Sequence, residues 1–247
     1  MSIKDPEELA AMRAAGAVVC RMLRAMKSAV RPGITTAELD ELGADVMRQH
    51  GARSAPTMVY GFPGVSCISV NDEAVHGIPG KRALEQGDLV KLDVTVEKDG
   101  FMADAAVTVP VGEVTEERKR LVECAERAFA KAMLVARAGF RVSEIGRVVE
   151  REVRRDGFSV IRDLGGHGIG RTIHEEPRVP NYADPEANQV LTEGLVITVE
   201  PIIAAGSGRA FVAPDKWTVI TADHRPSAHY EHTLVITKGA PMLLTAA

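Results

Sequence analysis

The fold of this chain is decided by the stretch Lys91–Val96 (KLDVTV), the turn Lys98–Gly100 (KDG) and the segment Phe101–Asp104 (FMAD). Valine or leucine at positions 90, 92, 94 and 96 alternates with polar residues, which is the period-2 pattern of a strand with one buried face. The Asp-Gly pair in the turn is a strong hairpin signal, and a second strand follows it. The sequence therefore predicts a β-hairpin.

Asp93 and Asp104 lie on the two strands of this hairpin. The midpoint of their positions falls inside the turn, so we expect them nearly opposite each other, give or take one rung. Opposed residues on one face have Cβ atoms about 4.5–5.5 Å apart. Two carboxylates that close repel unless one is protonated or a cation separates them. The hairpin alone leaves two interpretations open, a metal site or a solvated face.

The composition limits the class of protein. The chain has 247 residues, 45% of them hydrophobic, with a net charge of −4, which fits one large domain and gives no reason to expect nucleic-acid binding. No apolar run of roughly 18 residues predicts a membrane span, and the first residues do not resemble a signal peptide. Three scattered cysteines, Cys20, Cys67 and Cys124, predict neither a disulfide framework nor a structural zinc site. We expect a reduced, cytoplasmic protein without a membrane partner.

Helices are predicted in two pairs, one before and one after the hairpin. Asp5 and Thr35 are expected to cap the first two helices. Thr115 is expected to cap a third helix that runs to about Ala138, and Ser143 a fourth. The other segments are predicted as loops at 52–64, 71–80 and 165–170 and as strands at 65–70, 195–200 and 227–237.

A weak internal sequence repeat relates the two halves of the chain. Residues 33–39 align with residues 139–145 at a shift of 106, and Gly51 maps onto Gly157 at the same shift. A unit of two helices and strands is thus expected twice, in halves of roughly 5–112 and 113–240 within a single domain covering 1–247. Two such halves would leave a cleft between their sheets.

The residues that carry chemistry form a set spread over both halves. Each member alone has an ordinary interpretation, because a histidine among glycines can cap a turn and a carboxylate at a strand end usually faces water. Together they are four carboxylates and one imidazole, namely Asp93, Asp104, His167, Glu200 and Glu231. Such a set shares a cleft only with cations, and two divalent ions would satisfy it. Its oxygen-rich character suits Mn²⁺, Fe²⁺, Co²⁺ or Mg²⁺, with Zn²⁺ also compatible.

With these residues in place, the sequence closely resembles the type I methionine aminopeptidases, within the pita-bread metallohydrolases, from residue 5 to 240. The motifs that carry the resemblance are Asn71–Pro79 (NDEAVHGIP), Asp93–Val96 with Asp104, Gly166–Arg171 (GHGIGR), His174–Pro177 (HEEP), Thr198–Pro201 (TVEP) and Tyr230–Thr233 (YEHT). The resemblance implies an α+β pita-bread fold, in which helix pairs cover a central antiparallel sheet with pseudo-two-fold symmetry.

The resemblance also implies roles for individual residues. Asp104 and Glu231 would bridge two divalent ions (Co, Mn, Fe or Zn), Asp93 would chelate one ion, and His167 and Glu200 would complete the other. The remaining catalytic residues implied are His76 and His174, which would contact the scissile amide, with Glu200 acting as general base. The substrate would be the N-terminal methionine of nascent polypeptides whose second residue is small. Family practice suggests a monomer. Transient association with the ribosome is a further expectation about partners.

The resemblance also implies a pocket for the first side chain of the substrate. By the resemblance its wall consists of Val59, Phe62, Cys67, Ile173 and Trp217. Relatives generally carry an aromatic residue at the position of Ile173 and often a tyrosine at that of Val59. A plain buried thiol is an equally good interpretation of Cys67. The flexible side chain of methionine still fits such a pocket, but its selectivity is expected to be looser.

Two further functions remain open at this point. An Xaa-Pro peptidase would use the same ligands, although such relatives usually carry an extra domain before the catalytic one. A binding protein on the same fold would have lost catalysis, but such members lose metal ligands and this sequence keeps all five. Metal content and substrate preference distinguish these alternatives.

Overall fold

The computed structural model describes residues 1–246 of the chain. Its five helices are α1 (Pro6–Ala29), α2 (Thr36–Gln49), α3 (Ala55–Tyr60), α4 (Glu116–Ala132) and α5 (Val142–Arg155). Its fifteen strands are β1 (Arg53–Ser54), β2 (Cys67–Val70), β3 (Glu73–Val75), β4 (Leu89–Lys98), β5 (Phe101–Pro110), β6 (Ser159–Val160), β7 (Gly165–Gly168), β8 (Glu175–Pro180), β9 (Val196–Val199), β10 (Ile202–Ala204), β11 (Ala210–Val212), β12 (Val219–Thr221), β13 (Ser227–His229), β14 (His232–Val235) and β15 (Met242–Leu243). The predicted α+β class is confirmed.

The first helix pair begins at the predicted caps. The Asp5 side chain accepts a hydrogen bond from the Glu8 amide, and Thr35 forms a capping box with Glu38. A Cβ atom added to Gly16 in α1 would lie 2.2 Å from the Leu244 carbonyl oxygen. Gly16 therefore allows the end of the chain to lie directly against α1.

The second helix pair differs from the prediction at two boundaries. Helix α4 ends at Ala132 instead of continuing to Ala138, because the following backbone turns toward the sheet, where Ala138 N donates to Thr237 O at 2.8 Å. Helix α5 begins after Arg141, and Ser143 N donates to Ala187 O at 2.8 Å. A neighbouring backbone carbonyl thus satisfies this amide, and the predicted cap at Ser143 is wrong.

The hairpin of β4 and β5 has the predicted two-residue turn. Asp99 and Gly100 have φ values of 52° and 83°, both in the left-handed region that this type of turn requires. Asp104 pairs with Thr95, two residues along β4 from Asp93. The two aspartates therefore share one face of the hairpin as diagonal neighbours and do not stand directly opposite each other.

The sheets place the hairpin at the centre of the molecule. β4 pairs with β1, β2 and β5 in one sheet, and a second sheet has the order β15-β14-β9-β7-β8. The two are joined by a pair of backbone bonds, from Ala106 N to Glu231 O at 3.3 Å and from Glu231 N to Ala106 O at 2.9 Å. One apolar core lies between α1, α2 and the hairpin, and another between α4, α5 and the second half's strands. This arrangement of two helix pairs over antiparallel strands agrees with the expected pita-bread fold.

Four segments differ from the predicted strands and loops. The loop expected at 71–80 contains the strand β3. The loop expected at 52–64 contains β1 and α3, whose first turn holds Pro56 and is capped by Ser54. The glycine-rich loop around His167 is the strand β7. The strand expected over 227–237 is broken at Tyr230–Glu231 into β13 and β14. Among residues 1–246, no helix is both long enough and apolar enough to cross a membrane.

Candidate active site

A cavity of about 370 Å³ opens between the two halves of the molecule. Its wall includes all five residues predicted to bind metal, namely Asp93, Asp104, His167, Glu200 and Glu231. The hairpin supplies two of these side chains, and the strands of the second half or their adjoining residues supply the other three. The fold therefore brings together carboxylates that are far apart in the sequence.

The strands hold Asp104 by its backbone. Asp104 N donates to the Thr233 hydroxyl oxygen at 2.9 Å, and that hydroxyl donates to Asp104 O at 2.8 Å. The same edge carries Glu231, whose backbone pairs with β5. Because both backbones are fixed in the sheet, the two carboxylates keep a set separation without any bond between their side chains.

His167 and Glu200 are linked by a threonine. Thr198 Oγ1 accepts from His167 N at 3.1 Å and donates to Glu200 Oε1 at 2.9 Å. The ring nitrogen Nδ1 of His167 lies 2.9 Å from Gly168 O, so Nε2 is the nitrogen that points toward the carboxylates, 3.5 Å from Glu200 Oε1. A Cβ atom on Gly166 would lie 2.4 Å from Thr198 O, so glycine is required for this close approach of β7 and β9.

The crowding of carboxylates has a clear electrostatic signature. Burial, and then the charges of neighbouring carboxylates, raises the pKa of Asp104 and Glu231 well above the usual range. Burial and the charge of Glu231 likewise raise the pKa of Glu200. In the described chain, Asp104 Oδ1 and Glu231 Oε1 are buried without a hydrogen-bond partner. Buried acceptors of this kind need a cation or a proton.

The donor set fits divalent cations. Ligand atoms of Asp104, His167 and Glu231 all lie within 4.8 Å of one another. Burial and the neighbouring His174 lower the pKa of His167 to about 4, so its imidazole is neutral and its lone pair is available at physiological pH. Carboxylate oxygens with one imidazole are a donor set used for Mn²⁺, Fe²⁺, Co²⁺ and Zn²⁺.

Two further histidines face the cavity. His76 directly follows β3, has a φ of 58° in the left-handed region, and lines the cavity. The hydroxyl of Tyr60 lies 2.6 Å from Nδ1 of His174, and the rings of His174 and His167 are 4.3 Å apart. Burial lowers the pKa of both His76 and His174. Both rings are therefore neutral near pH 7 and able to donate one hydrogen bond each.

The segment that carries His174 is held in a turn by hydrogen bonds to the Glu175 side chain. One carboxylate oxygen of Glu175 accepts from Arg171 N at 2.7 Å and from Thr172 N at 2.9 Å. The other oxygen accepts from the amino group of Met1. These bonds fix the turn that aims Ile173 and His174 into the cavity.

The apolar side of the cavity contains most of the predicted pocket residues, Phe62, Cys67, Ile173 and Trp217. Phe62 and Trp217 pack edge to face with ring centroids 5.2 Å apart. Val59 is 43% exposed and lies outside the cavity wall, whereas its neighbour Tyr60 lines the cavity. Helix α3 thus contributes the aromatic ring of Tyr60 to the wall.

Several residues of the wall were not predicted as site residues, among them Tyr60, Thr95 and His229. Thr95 and His229 each lie two positions from a predicted ligand, Asp93 and Glu231. Residues two apart in an extended chain share a face, so strand periodicity beside each predicted ligand is the signal that could have found these neighbours. Tyr60 carries no comparable signal, because its segment is predicted as a loop.

The fold and the buried, carboxylate-rich cavity define a metal-dependent hydrolase of the pita-bread class. Residues 10–238 match the family described as Metallopeptidase family M24. A methionine aminopeptidase from Clostridium perfringens is 42% identical over 243 residues, which cover 98% of each chain. The crystal structure of a methionine aminopeptidase from Thermotoga maritima has a TM-score of 0.97 and 36% identity, with both chains fully covered.

These likenesses identify the chain as a member of metallopeptidase family M24 and, within it, of the type I methionine aminopeptidases. A more distant likeness concerns the fold alone. The prolidase from Pyrococcus furiosus has a TM-score of 0.80 at 24% identity, and this chain covers 65% of it.

Proposed function

We propose that the chain removes the N-terminal methionine of nascent polypeptides whose second residue is small, by hydrolysing the first peptide bond. The observation that carries this proposal is the buried set of Asp104, His167, Glu200 and Glu231 beside an apolar pocket in one cavity. Membership of family M24 supports the reaction class, and the named relatives support methionine as the residue removed.

The proposed cofactor is a pair of divalent ions, Co, Mn, Fe or Zn. The residues that would hold the pair are Asp93, Asp104, His167, Glu200 and Glu231. Bound there, divalent cations supply Lewis-acid polarisation of the scissile carbonyl and a nucleophilic water at neutral pH. The unpartnered oxygens of Asp104 and Glu231 support this assignment, since each lacks a bond that a cation provides.

Glu200 acts as the general base. Glu200 Oε1 accepts a hydrogen bond from the Thr198 hydroxyl, so Oε2 is the oxygen in position to take up a proton from the attacking water. Burial and the charge of Glu231 raise the pKa of Glu200 and make its carboxylate a better proton acceptor. Thr198 keeps the carboxylate in one orientation throughout.

His174 stabilises the negative charge that develops on the carbonyl oxygen. Partial desolvation in the cavity raises the pKa of Tyr60, so its hydroxyl stays protonated and donates to Nδ1 of His174. The proton of the neutral His174 ring then resides on Nε2, which donates to the developing oxyanion. Tyr60 acts through His174 as a positioning residue.

His76 orients the leaving amide and helps deliver the proton that the new amine needs. The substrate's α-ammonium group complements the carboxylates around it, which restricts the reaction to the first residue of a chain. The first side chain enters the pocket of Tyr60, Phe62, Cys67, Ile173 and Trp217. A flexible thioether fills such a space well.

The chain is proposed to work as a single catalytic domain over 1–247, with internal halves of roughly 5–112 and 113–240. We place it in the cytoplasm as a monomer that contacts the ribosome transiently. The substrate itself supports this placement, because N-terminal methionine is removed from chains as they emerge during synthesis.

Cleavage by metal-stripped protein reloaded with Mn²⁺ or Co²⁺ tests the proposal. The substrates are the peptide Met-Gly-Met and an Xaa-Pro peptide of the same length, with stripped protein as the blank. Metal-dependent release of methionine from the first peptide alone is the expected result. Preference for the Xaa-Pro peptide would move the chain to the proline-directed branch, and metal binding without cleavage of either peptide would favour a binding protein.

A further inference from the structure

His229 is a buried histidine whose ring makes no hydrogen bond that would stabilise the fold. It ends strand β13, is 2% exposed and lines the active-site cavity. Over the described residues 1–246, neither ring nitrogen of His229 has a hydrogen-bond partner. A polar ring buried without a partner is unfavourable unless something else occupies its lone pair.

The backbone of His229 is held in place on both sides. Its amide donates to the Thr108 hydroxyl oxygen at 2.8 Å, and that hydroxyl donates to the His229 carbonyl at 2.8 Å. His229 also pairs with Ile202 across β10 and β13. The ring is therefore aimed by the sheet and cannot easily turn to find another partner.

The ring points at two of the carboxylates proposed to bind metal. His229 Nε2 lies 3.4 Å from Glu231 Oε2 and 3.7 Å from Glu200 Oε2. Ligand atoms of Glu200, His229 and Glu231 lie within 4.8 Å of one another. Ligands about 2.1 Å from one tetrahedral ion are separated by about 3.4 Å, which matches these spacings.

We propose that His229 is a further metal ligand, which donates a ring nitrogen to the divalent ion held by Glu200 and Glu231. This inference rests on the proposed metal centre and adds a residue to it. The cluster of Asp104, His167 and Glu231 and the cluster of Glu200, His229 and Glu231 share Glu231. Because the resemblance assigns His167 and Glu200 to the same ion, that ion would have two imidazole ligands, from His167 and His229.

A second imidazole changes which metal the centre prefers. Nitrogen ligands favour Co²⁺, Fe²⁺ and Zn²⁺ over Mn²⁺ and Mg²⁺, which bind mainly through oxygen. The affinity of the chain for Co²⁺ should therefore depend on His229 more strongly than its affinity for Mn²⁺.

The test compares metal binding by metal-stripped wild type, His229→Gln and a matched control, His232→Gln. His232 is also a partly buried histidine, but its ring nitrogens contact Thr245 Oγ1 at 2.9 Å and Tyr230 Oη at 3.2 Å. Titration calorimetry gives the dissociation constants for Co²⁺ and Mn²⁺, and visible absorption reports the ligand field of bound Co²⁺. Because His229→Gln lacks one imidazole ligand, its affinity for Co²⁺ should be weaker by about ten-fold or more. Its affinity for Mn²⁺ should fall less, and the spectrum of bound Co²⁺ should change. His232→Gln should change neither the affinities nor the spectrum.

An unchanged Co²⁺ affinity and spectrum in His229→Gln would overturn the inference. If that variant does not fold, X-ray absorption of wild type loaded with two Co²⁺ decides the question. An average of one imidazole per cobalt supports ligation by His229, and one imidazole per two cobalt ions overturns it. Asp104→Asn distinguishes failure of this inference from failure of the proposed metal centre. If Asp104→Asn loses metal and His229→Gln binds metal like wild type, only the assignment of His229 as a ligand is overturned. Absence of metal binding in wild type would overturn the proposed centre together with this inference.

Discussion

The floor and the rim of the active-site cavity are built in different ways. The floor consists of the five proposed ligands, Asp93, Asp104, His167, Glu200 and Glu231, which lie on strands or directly beside them. The rim consists of the residues around the first-side-chain pocket, Tyr60, Phe62, Cys67, Ile173 and Trp217, most of which lie on a six-residue helix and on loops. Glu231 on the floor is 2% exposed, whereas Tyr60 on the rim is 47% exposed.

The floor and the rim are therefore held in place by different interactions. Strand residues are held by ladders of backbone hydrogen bonds, so the floor keeps its geometry even though its charges repel one another. The rim depends more on contacts between side chains, such as the edge-to-face pair of Phe62 and Trp217, and most of its residues lie outside strands. Variants of the floor should therefore abolish chemistry, and variants of the rim should retune selectivity.

The largest effect is expected from Asp104→Asn on the floor. An amide removes a shared anionic ligand, so kcat/KM should fall by roughly a thousand-fold, equivalent to several kcal/mol of lost charge stabilisation. Saturating metal at about 100 times Kd stabilises a protein by about 2.7 kcal/mol, or roughly 5–10 °C in Tm at this chain length. That metal-induced rise in Tm should disappear in Asp104→Asn, as measured by calorimetry with and without Co²⁺.

The metal-free form should respond in the opposite direction. Without metal, Asp104→Asn removes one charge from a crowded and buried set of carboxylates, so the free energy of unfolding of the stripped protein should stay the same or rise. Glu193→Gln, at an exposed surface ion pair with Lys238, is the control for loss of a carboxylate. Full activity and normal metal content in Asp104→Asn would contradict its assignment as a shared ligand.

An intermediate effect is expected from His174→Ala, which lies where the floor meets the rim. Removal of one donor to the oxyanion should lower kcat by about 10²–10³-fold, while the dissociation constant for Co²⁺ stays unchanged. Tyr60→Phe removes only the hydroxyl that holds Nδ1, so its loss should be about ten-fold or less. Steady-state kinetics with Met-Gly-Met and metal titration measure both quantities. A parallel loss of metal affinity in His174→Ala would assign this residue to the metal centre instead.

Much of the floor could be predicted from the sequence because its signals are local. Period-2 alternation predicts Asp93 on a strand, and the Asp-Gly turn predicts the hairpin, although Asp104 pairs with Thr95 and not with Asp93. The same reasoning left the exact register open, since it depends on which residues occupy the turn. The five ligands were brought together only through the resemblance and the fold, because residues of the two halves are linked by no sequence period.

The features that could not be predicted depend on tertiary contacts. The end of α4 at Ala132 and the start of α5 follow from backbone bonds to distant segments, to Thr237 and Ala187. The strand character of Gly165–Gly168 arises because glycine lets β7 approach its neighbours, which glycine-rich composition alone does not indicate. Both boundaries lie where a partner far along the sequence outweighs local preference.

The smallest effect, and the sharpest test of the rim, is expected from Trp217→Ala compared with Val59→Ala. Trp217 lines the pocket against Phe62, so its loss should raise KM for a methionine peptide by about ten-fold and leave kcat nearly unchanged, as for the loss of an apolar contact. Val59 faces solvent beside the pocket, so Val59→Ala should stay within about two-fold of wild type. Peptides that begin with methionine, leucine or phenylalanine measure the effect on selectivity. Equal losses in the two variants would mean that Val59 turns into the pocket when substrate binds, and the rim would then extend along the whole outer face of α3.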